Sequence, residues 1–191
     1  MRYEKGRKNA SRRHILEVAA HRFRSDGIAA TGLASIMSDA GLTNGAFYPH
    51  FRSKADLVVE SVATALEAQS EALQKVLDAG GLEAAISVYL SPDHRDSPGN
   101  GCAFAALLPE LSRQSAEART RYAEQVLVIV RQLAAALPPE CHDPDGVALS
   151  IYATVIGALQ LARAVKGTAL SDRVLTTGVD AARALIHKDQ V

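Results

Sequence analysis

An all-α fold is what this 191-residue chain predicts, on three observations. Apolar residues return every third or fourth position in one segment after another. No stretch of useful length alternates apolar and polar with period two, so strands have little support. The segments are punctuated by glycine, proline and Ser/Thr/Asp caps. With 48% hydrophobic and 22% charged residues, the chain has the balance of a globular protein and not of a disordered one. Two cysteines, Cys102 and Cys141, do not make a disulfide framework. No apolar run follows the first residues, so a secretory leader is not expected and the cytoplasm is the expected location.

Taken in order, Asn9 or Ser11 is positioned to cap a first helix ending near Asp26, with Ile15, Leu16, Ala19 and Phe23 on one face and Gly27 as its stop. Thr31 is expected to cap a short second helix over residues 32–40, with Leu33 and Ile36 inward. Gly41 supplies the sharp turn, because positive φ is cheap only for glycine. Thr43 opens a third helix over residues 44–50, with Phe47 and Phe51 four apart on its inner face. Ser53 caps a long fourth helix, with Asp56 in its first turn and Val58, Val62, Leu66, Leu73 and Leu77 as its stripe, stopping at Gly80 and Gly81. A fifth helix follows over residues 82–90, then a loop over 91–101 rich in Pro, Gly, Asp and Ser. The sixth covers 102–112, where Pro109 predicts a kink or a break. The seventh covers 116–137, the eighth 145–166 and the ninth 171–187, capped by Ser171. Residues 146–162 carry no charge. A helix apolar on nearly all sides is read more simply as packed on two sides than as a short membrane span.

Charge is unevenly spread behind a formal net charge of zero. Residues 1–54 hold ten basic side chains (Arg2, Lys5, Arg7, Lys8, Arg12, Arg13, Arg22, Arg24, Arg52, Lys54) against Glu4, Glu17, Asp26 and Asp39. The remainder carries the matching acidic excess. A basic head on an acidic body points to a polyanionic partner. In the same head, a helix, a glycine turn and a second short helix make the order of a helix-turn-helix.

The residues that fill this order carry a resemblance. Phe23, Gly27, Thr31 and Ile36 lead into Ala40, Gly41, Leu42, Thr43, Asn44, Gly45, Ala46, Phe47, Tyr48, Pro49, His50 and Phe51, followed by Ser53, Lys54, Ala55, Asp56 and Leu57. Residues 11–58 thereby resemble the DNA-binding domain of the TetR family of bacterial transcriptional regulators. A short third helix is enough to place its N-terminal end in a major groove. Asn44 suits a bidentate contact to adenine, Gly45 a close backbone approach and Ala46 a thymine methyl. An exposed cap is the plain alternative for Asn44. Thr43 stands at the same end. Tyr48 and His50 resemble family positions that reach phosphate, and Thr31 is expected to combine a cap with a phosphate contact. Lys54 begins the fourth helix, where dipole and ammonium both attract phosphate. The sequence departs from the usual pattern at Leu33, Ala34 and Met37. The basic residues before Ser11 are expected to compensate as a flexible arm.

For the rest of the chain the resemblance implies a helical domain that binds a small effector and dimerises. The expected division is a helix-turn-helix domain over 1–54 and an effector-binding and dimerisation domain over 55–191. Two half-sites need two recognition helices, so a homodimer on a pseudo-palindromic operator is expected. Ala153, Gly157 and Ala158 in the uncharged helix, with Val174, Val179, Ala182 and Leu185 in the last, are the candidate dimer surface; internal core is the alternative. Candidate pocket residues are Leu66, Tyr89, Phe104, Leu107, Leu108, Tyr122, Val126, Ile129, Tyr152, Ile156 and Gln160, a mixture that suits a largely apolar effector with one or two hydrogen-bonding groups. No cofactor and no metal are expected: Cys141, His142 and Asp143 are contiguous and lack the spacing of a closed zinc site. Cys102, after Gly101 at a helix start, is a candidate thiol sensor of oxidants or electrophiles. The rival classes are an interaction module with a non-functional DNA head, and an enzyme. For the enzyme the chain offers no phosphate-binding loop, no Gly-x-Ser-x-Gly and no His-Glu-x-x-His.

Overall fold

Strong helix formers without an early proline carry the first helix back further than its expected caps. The computed structural model describes residues 2–187. Its elements are α1 (Arg2–Asp26), α2 (Leu33–Asp39), a 3-10 turn (Asn44–Ala46), α3 (Lys54–Tyr89), α4 (Pro92–Asp96), a second 3-10 turn (Pro98–Asn100), α5 (Ala103–Leu111), α6 (Ala116–Ala135), α7 (Pro144–Ala164) and α8 (Ala169–His187). Among the described residues there is no strand.

The all-α reading therefore holds: among the described residues there are eight helical runs, the third divided by a kink. The expected arm before Ser11 falls within α1; the side chains of Arg2, Lys5 and Arg7 lie outside the described residues. The expected stop at Gly81 holds: its φ of 70° and ψ of −169° are not helical, so α3 is two helices joined across a kink, the second being the expected fifth helix. The expected loop after Leu90 contains α4, capped by Ser91, whose Oγ accepts from His94 N at 3.2 Å. Pro109 sits inside α5 without breaking it. Ser171 is not a cap: it is buried within α8 and its hydroxyl donates to Ala162 O at 2.8 Å, fastening α8 to α7.

The head is built on aromatic burial. Ile15, Leu16, Ala19 and Phe23 of α1 meet Ile36 and Met37 of α2, Phe47, Phe51, and Leu57 of α3, all buried. Phe47 and Phe51 stack with ring centroids 5.4 Å apart. Gly41, at φ 66°, turns the chain between α2 and the 3-10 turn. Ser53 caps α3 by accepting from Asp56 N at 3.1 Å, and Asp56 Oδ2 reaches back to Arg52 N at 3.1 Å. This reciprocal pair satisfies two otherwise orphaned amides. α1 packs along the start of α3, so α3 runs out of the head and into the body. In the body α7 and α8 form the most extensive helix pair, with α6 against α7 and α3.

α7 is long and apolar enough to cross a bilayer. Ala148, Ile151, Tyr152, Val155, Leu159 and Ala162 are nevertheless buried against its neighbours, which is the packing of a core helix. Phe51→Ala, which removes one ring of the stacked pair, is expected to cost about 3–5 kcal/mol of stability, read by denaturant unfolding.

Candidate nucleic-acid interface and internal cavity

The turn after Gly41 is shorter and tighter than a helix. Ala46 N donates to Thr43 O at 3.0 Å, Phe47 N to Asn44 O at 3.2 Å and His50 N to Phe47 O at 2.9 Å, the i to i−3 pattern of 3-10 geometry. The expected helix over 44–50 stops at Ala46 and continues as a turn. Pro49 explains this: it lacks an N–H and disfavours helical backbone at Tyr48.

The geometry leaves Thr43, Asn44 and Gly45 exposed and Ala46 half-buried on one projecting edge. Neither Thr43 nor Asn44 spends its side chain on a cap of this turn, since Thr43 is the N-cap residue and makes no side-chain cap bond. Tyr48 is 71% exposed, its ring edge-on to Phe47 at 5.4 Å. An aromatic ring exposed to solvent beside this edge is available to a partner. His50 is half-buried with Nδ1 unpaired, and burial lowers its pKa, helped by Lys8 and Arg12. Arg12 lies 5.0 Å over the Phe51 ring and pairs with Glu60.

Two of the predicted contact residues are engaged within the protein. Thr31 is 2% exposed, and its hydroxyl donates to Gly27 O at 2.7 Å. Gly32, not Thr31, is the N-cap of α2. Thr31 therefore closes the turn between α1 and α2 from inside, away from any phosphate. Lys54 is half-buried and its Nζ donates to Ile28 O at 2.6 Å, which leaves two of its three N–H groups for another acceptor.

The same turn is gripped from the body. Glu110 Oε1, near the end of α5, accepts from Ile28 N at 2.8 Å and Ala29 N at 3.1 Å. Arg24 Nε of α1 donates to Gly99 O at 2.7 Å, just before α5. The loop between α1 and α2 thus receives a carboxylate from α5 and an ammonium from α3.

A cavity of about 1430 Å³ opens between α1 and the body. Its depth is apolar, with Leu73, Val76, Ile86, Ile129, Leu133, Ile151 and Val155; its rim carries His14, His21, Arg24, His94 and Asn100. Of the predicted pocket residues, Tyr89, Ile129 and Tyr152 line it. Leu66, Phe104 and Leu107 do not: they are packed into the protein core. Tyr122 and Ile156 are also buried apart from it, Val126 and Gln160 are half-buried elsewhere, and Leu108 is exposed. The helical period marks inward faces, but it does not say which inward face meets an empty volume. The contribution of α1 and of Gln69 was missed for that reason.

Cys102 is the N-cap of α5; its Sγ accepts from Ala105 N at 3.5 Å and lies 4.0 Å from Tyr152 Oη. Burial raises the pKa of both Tyr89 and Tyr152, and the neighbouring Cys102 thiol adds to it. His94 is half-buried, with Nδ1 on Tyr89 O at 2.7 Å and Nε2 accepting from Cys102 N at 3.0 Å. That pair of partners fixes the Nδ1–H tautomer.

On the outer side, Leu149, Ala153, Gly157 and Leu161 are exposed at four-residue intervals along α7, beside Leu170 of α8. Three of these leucines stand out as 52%, 53% and 52% exposed (Leu149, Leu161, Leu170). Ala158, Val174, Val179 and Leu185 are half-buried. Ala182 is fully buried between α8 and its neighbours, so it leaves the candidate dimer surface. Asp143 caps α7, accepting from Gly146 N at 3.0 Å.

Residues 15–60 match the family described as bacterial regulatory proteins, tetR family. The HTH-type transcriptional regulator AcrR of Shigella flexneri is 46% identical over 50 residues, 26% of this chain and 23% of that protein. The probable HTH-type transcriptional regulator ArpR of Pseudomonas putida is 32% identical over 117 residues, 61% of this chain and 49% of that protein. The matches thus span at most about half the length of these relatives. Among solved structures, a transcriptional regulator of the TetR family from Cytophaga hutchinsonii superposes with a TM-score of 0.77 at 23% identity, covering 96% of each chain. The reduced form of E. coli NemR gives 0.76 at 22% identity, covering 91% of this chain and 95% of that one. Likeness at this identity establishes the fold over nearly the whole length.

Two outcomes are expected. Glu110→Ala should expose the amides of Ile28 and Ala29 to hydrogen exchange and cost about 1–3 kcal/mol, measured by exchange mass spectrometry and unfolding. His94 should make stability fall with acid. Burial, and then Arg163, push its folded pKa below 6.5, against the opposing bond to Tyr89. The unfolded chain therefore binds the extra proton first, and stability declines from about pH 6.5 down to the folded pKa, below which the slope vanishes. Denaturant midpoints across that range should flatten in His94→Gln.

Proposed function

Since the chain belongs to the tetR family of bacterial regulatory proteins through its helix-turn-helix domain, we propose that it is a ligand-responsive repressor. It binds a pseudo-palindromic operator as a homodimer in the cytoplasm and leaves it when a small, largely apolar effector enters the body. It acts by binding and not by catalysis.

The observation that carries the DNA half is the projecting edge from Thr43 to Ala46, exposed and braced by the buried Phe47 and Phe51. Asn44 reads a base edge, Gly45 admits the backbone and Ala46 meets a methyl group. Tyr48, His50 and the free N–H groups of Lys54 hold phosphates, which position the edge without reading sequence. The apolar face of α7 and α8, with Ala153, Gly157, Ala158, Val174, Val179 and Leu185, is the two-fold contact. Its small residues let four helices approach across the axis.

The cavity supports the effector half, because its wall is shared between α1 of the head and the helices of the body. A ligand there bears on the angle between them. Only a ligand that distinguishes the two angles shifts the population, and a near-complete switch needs about 10⁴-fold discrimination.

Mobility-shift selection from random duplexes tests this reading. Enrichment of palindromes with half-site centres about 34–36 Å apart is the expected result; enrichment of no sequence, at low salt and without effector, would contradict it. Asn44→Ala should relax preference at one position in each half-site by about 1–3 kcal/mol while leaving the salt slope unchanged.

A further inference from the structure

The chemistry of the cavity narrows the kind of molecule it takes. Its depth is hydrocarbon, from Leu73 and Val76 of α3 to Ile129 and Leu133 of α6 and Val155 of α7. Its rim is charged, and the charges there are not all matched. Arg22 pairs with Asp26 at 3.0 Å and Asp39 at 3.1 Å, and His14 lies 4.0 Å from Glu17. Arg24 is different. It is half-buried and lines the cavity, its Nε is spent on Gly99 O, and among the described residues no carboxylate pairs with it. Asp93, the remaining acid on the wall, is not its partner. His94 lies on the same rim with both ring nitrogens already in use. Burial lowers the Arg24 pKa, which marks a cation drawn out of water without a counterion. A guanidinium remains protonated even so.

Further in, Gln69 Oε1 is buried without a hydrogen-bond partner, and the buried Tyr89 hydroxyl has the Cys102 thiol beside it. Buried polar atoms are nearly always satisfied, so an unpaired acceptor on a cavity wall is open to a hydrogen-bonding group placed there. An uncharged apolar ligand would bury Arg24 further with no compensation, and a cationic one would be repelled.

We propose that the effector is an amphiphile with a carboxylate head, which takes Arg24 as its counterion and lays its apolar part between α3, α6 and α7. The inference rests on the effector reading above and goes further by naming the ligand's charge. The guanidinium fork presents two parallel N–H groups to a carboxylate, a geometry that an ammonium does not reproduce. Because Arg24 belongs to α1, the head group is held by the DNA-binding domain while the tail is held by the body. One molecule then spans both parts, and its affinity depends on the angle between them, which is what a switch requires.

Three probes built on a ten-carbon chain test this with the full chain: decanoate, decanol and decyltrimethylammonium, each below its micelle concentration. Binding is read by calorimetry and thermal shift, and release by retention of a duplex the protein has itself selected. Decanoate is expected to bind at least about tenfold more tightly than decanol and to release the duplex. Arg24→Gln should abolish that ratio, and Arg24→Lys should keep part of it; circular dichroism checks that each variant folds. Should a variant not fold, the ratio measured on the unaltered protein decides alone. Decanol or the ammonium binding as tightly as decanoate, or a ratio that survives Arg24→Gln, overturns the anionic assignment while leaving the effector reading in place. If none of the three moves either the melting temperature or the duplex, the anionic assignment falls. A larger set of non-decyl ligands with the same two readouts then judges the effector reading separately.

Discussion

One carboxylate sets where the turn of the DNA-binding head stands against the body. Glu110 accepts from two consecutive amides in the turn between α1 and α2, and it does so from α5, a helix whose opposite end is Cys102 on the cavity wall. Those amides lie in the turn after α1, beyond its helical hydrogen bonds. A charged acceptor shared between two such donors is among the stronger hydrogen-bonding arrangements a protein offers. Lys54 holds the carbonyl of the same Ile28, so α3 and α5 both set the position of that turn. Since α2 and the projecting edge follow it, the position of Asn44 depends on where α5 stands.

This makes α5 a short strut nine residues long, with one end on the cavity wall and the other on the head. Pro109 precedes Glu110 and removes one helical N–H, so the strut is least tied to its own helix beside the residue that grips. Arg24 on Gly99 and Arg12 with Glu60 add two further ties between α1 and the body. These polar ties lie beside the apolar packing of α1 on α3. Polar ties of this kind exchange between discrete arrangements more readily than packed cores deform.

Most of the fold was legible because its signals are local. Gly41 and Ser53 fall where turn and cap chemistry placed them, and the spacing of Phe47 and Phe51 foretold their stacked burial. The misreadings share a cause. Thr31 and Ser171 look like caps by residue type, but both hydroxyls are drawn to carbonyls on neighbouring turns or helices, a tertiary fact. Gly81 reads as a stop, and helical geometry does break there, leaving α3 as two helical stretches. The exposed edge from Thr43 to Ala46 was readable from the motif. The cavity was not, since Leu66 and Ile129 are equally inward by period and only three-dimensional packing leaves space beside one of them. The tie from Glu110 to Ile28 spans 82 positions and has no local signature.

The central claim is that two copies of the projecting edge enter neighbouring major grooves together. Methylation interference on a selected duplex, with the stoichiometry measured by native mass spectrometry, tests it most directly. The account predicts interference at purine N7 positions in two symmetric clusters on one face of the helix, with an even number of chains per duplex. A single cluster, or one chain per duplex with residues 43–46 still open to hydrogen exchange in the complex, would contradict it.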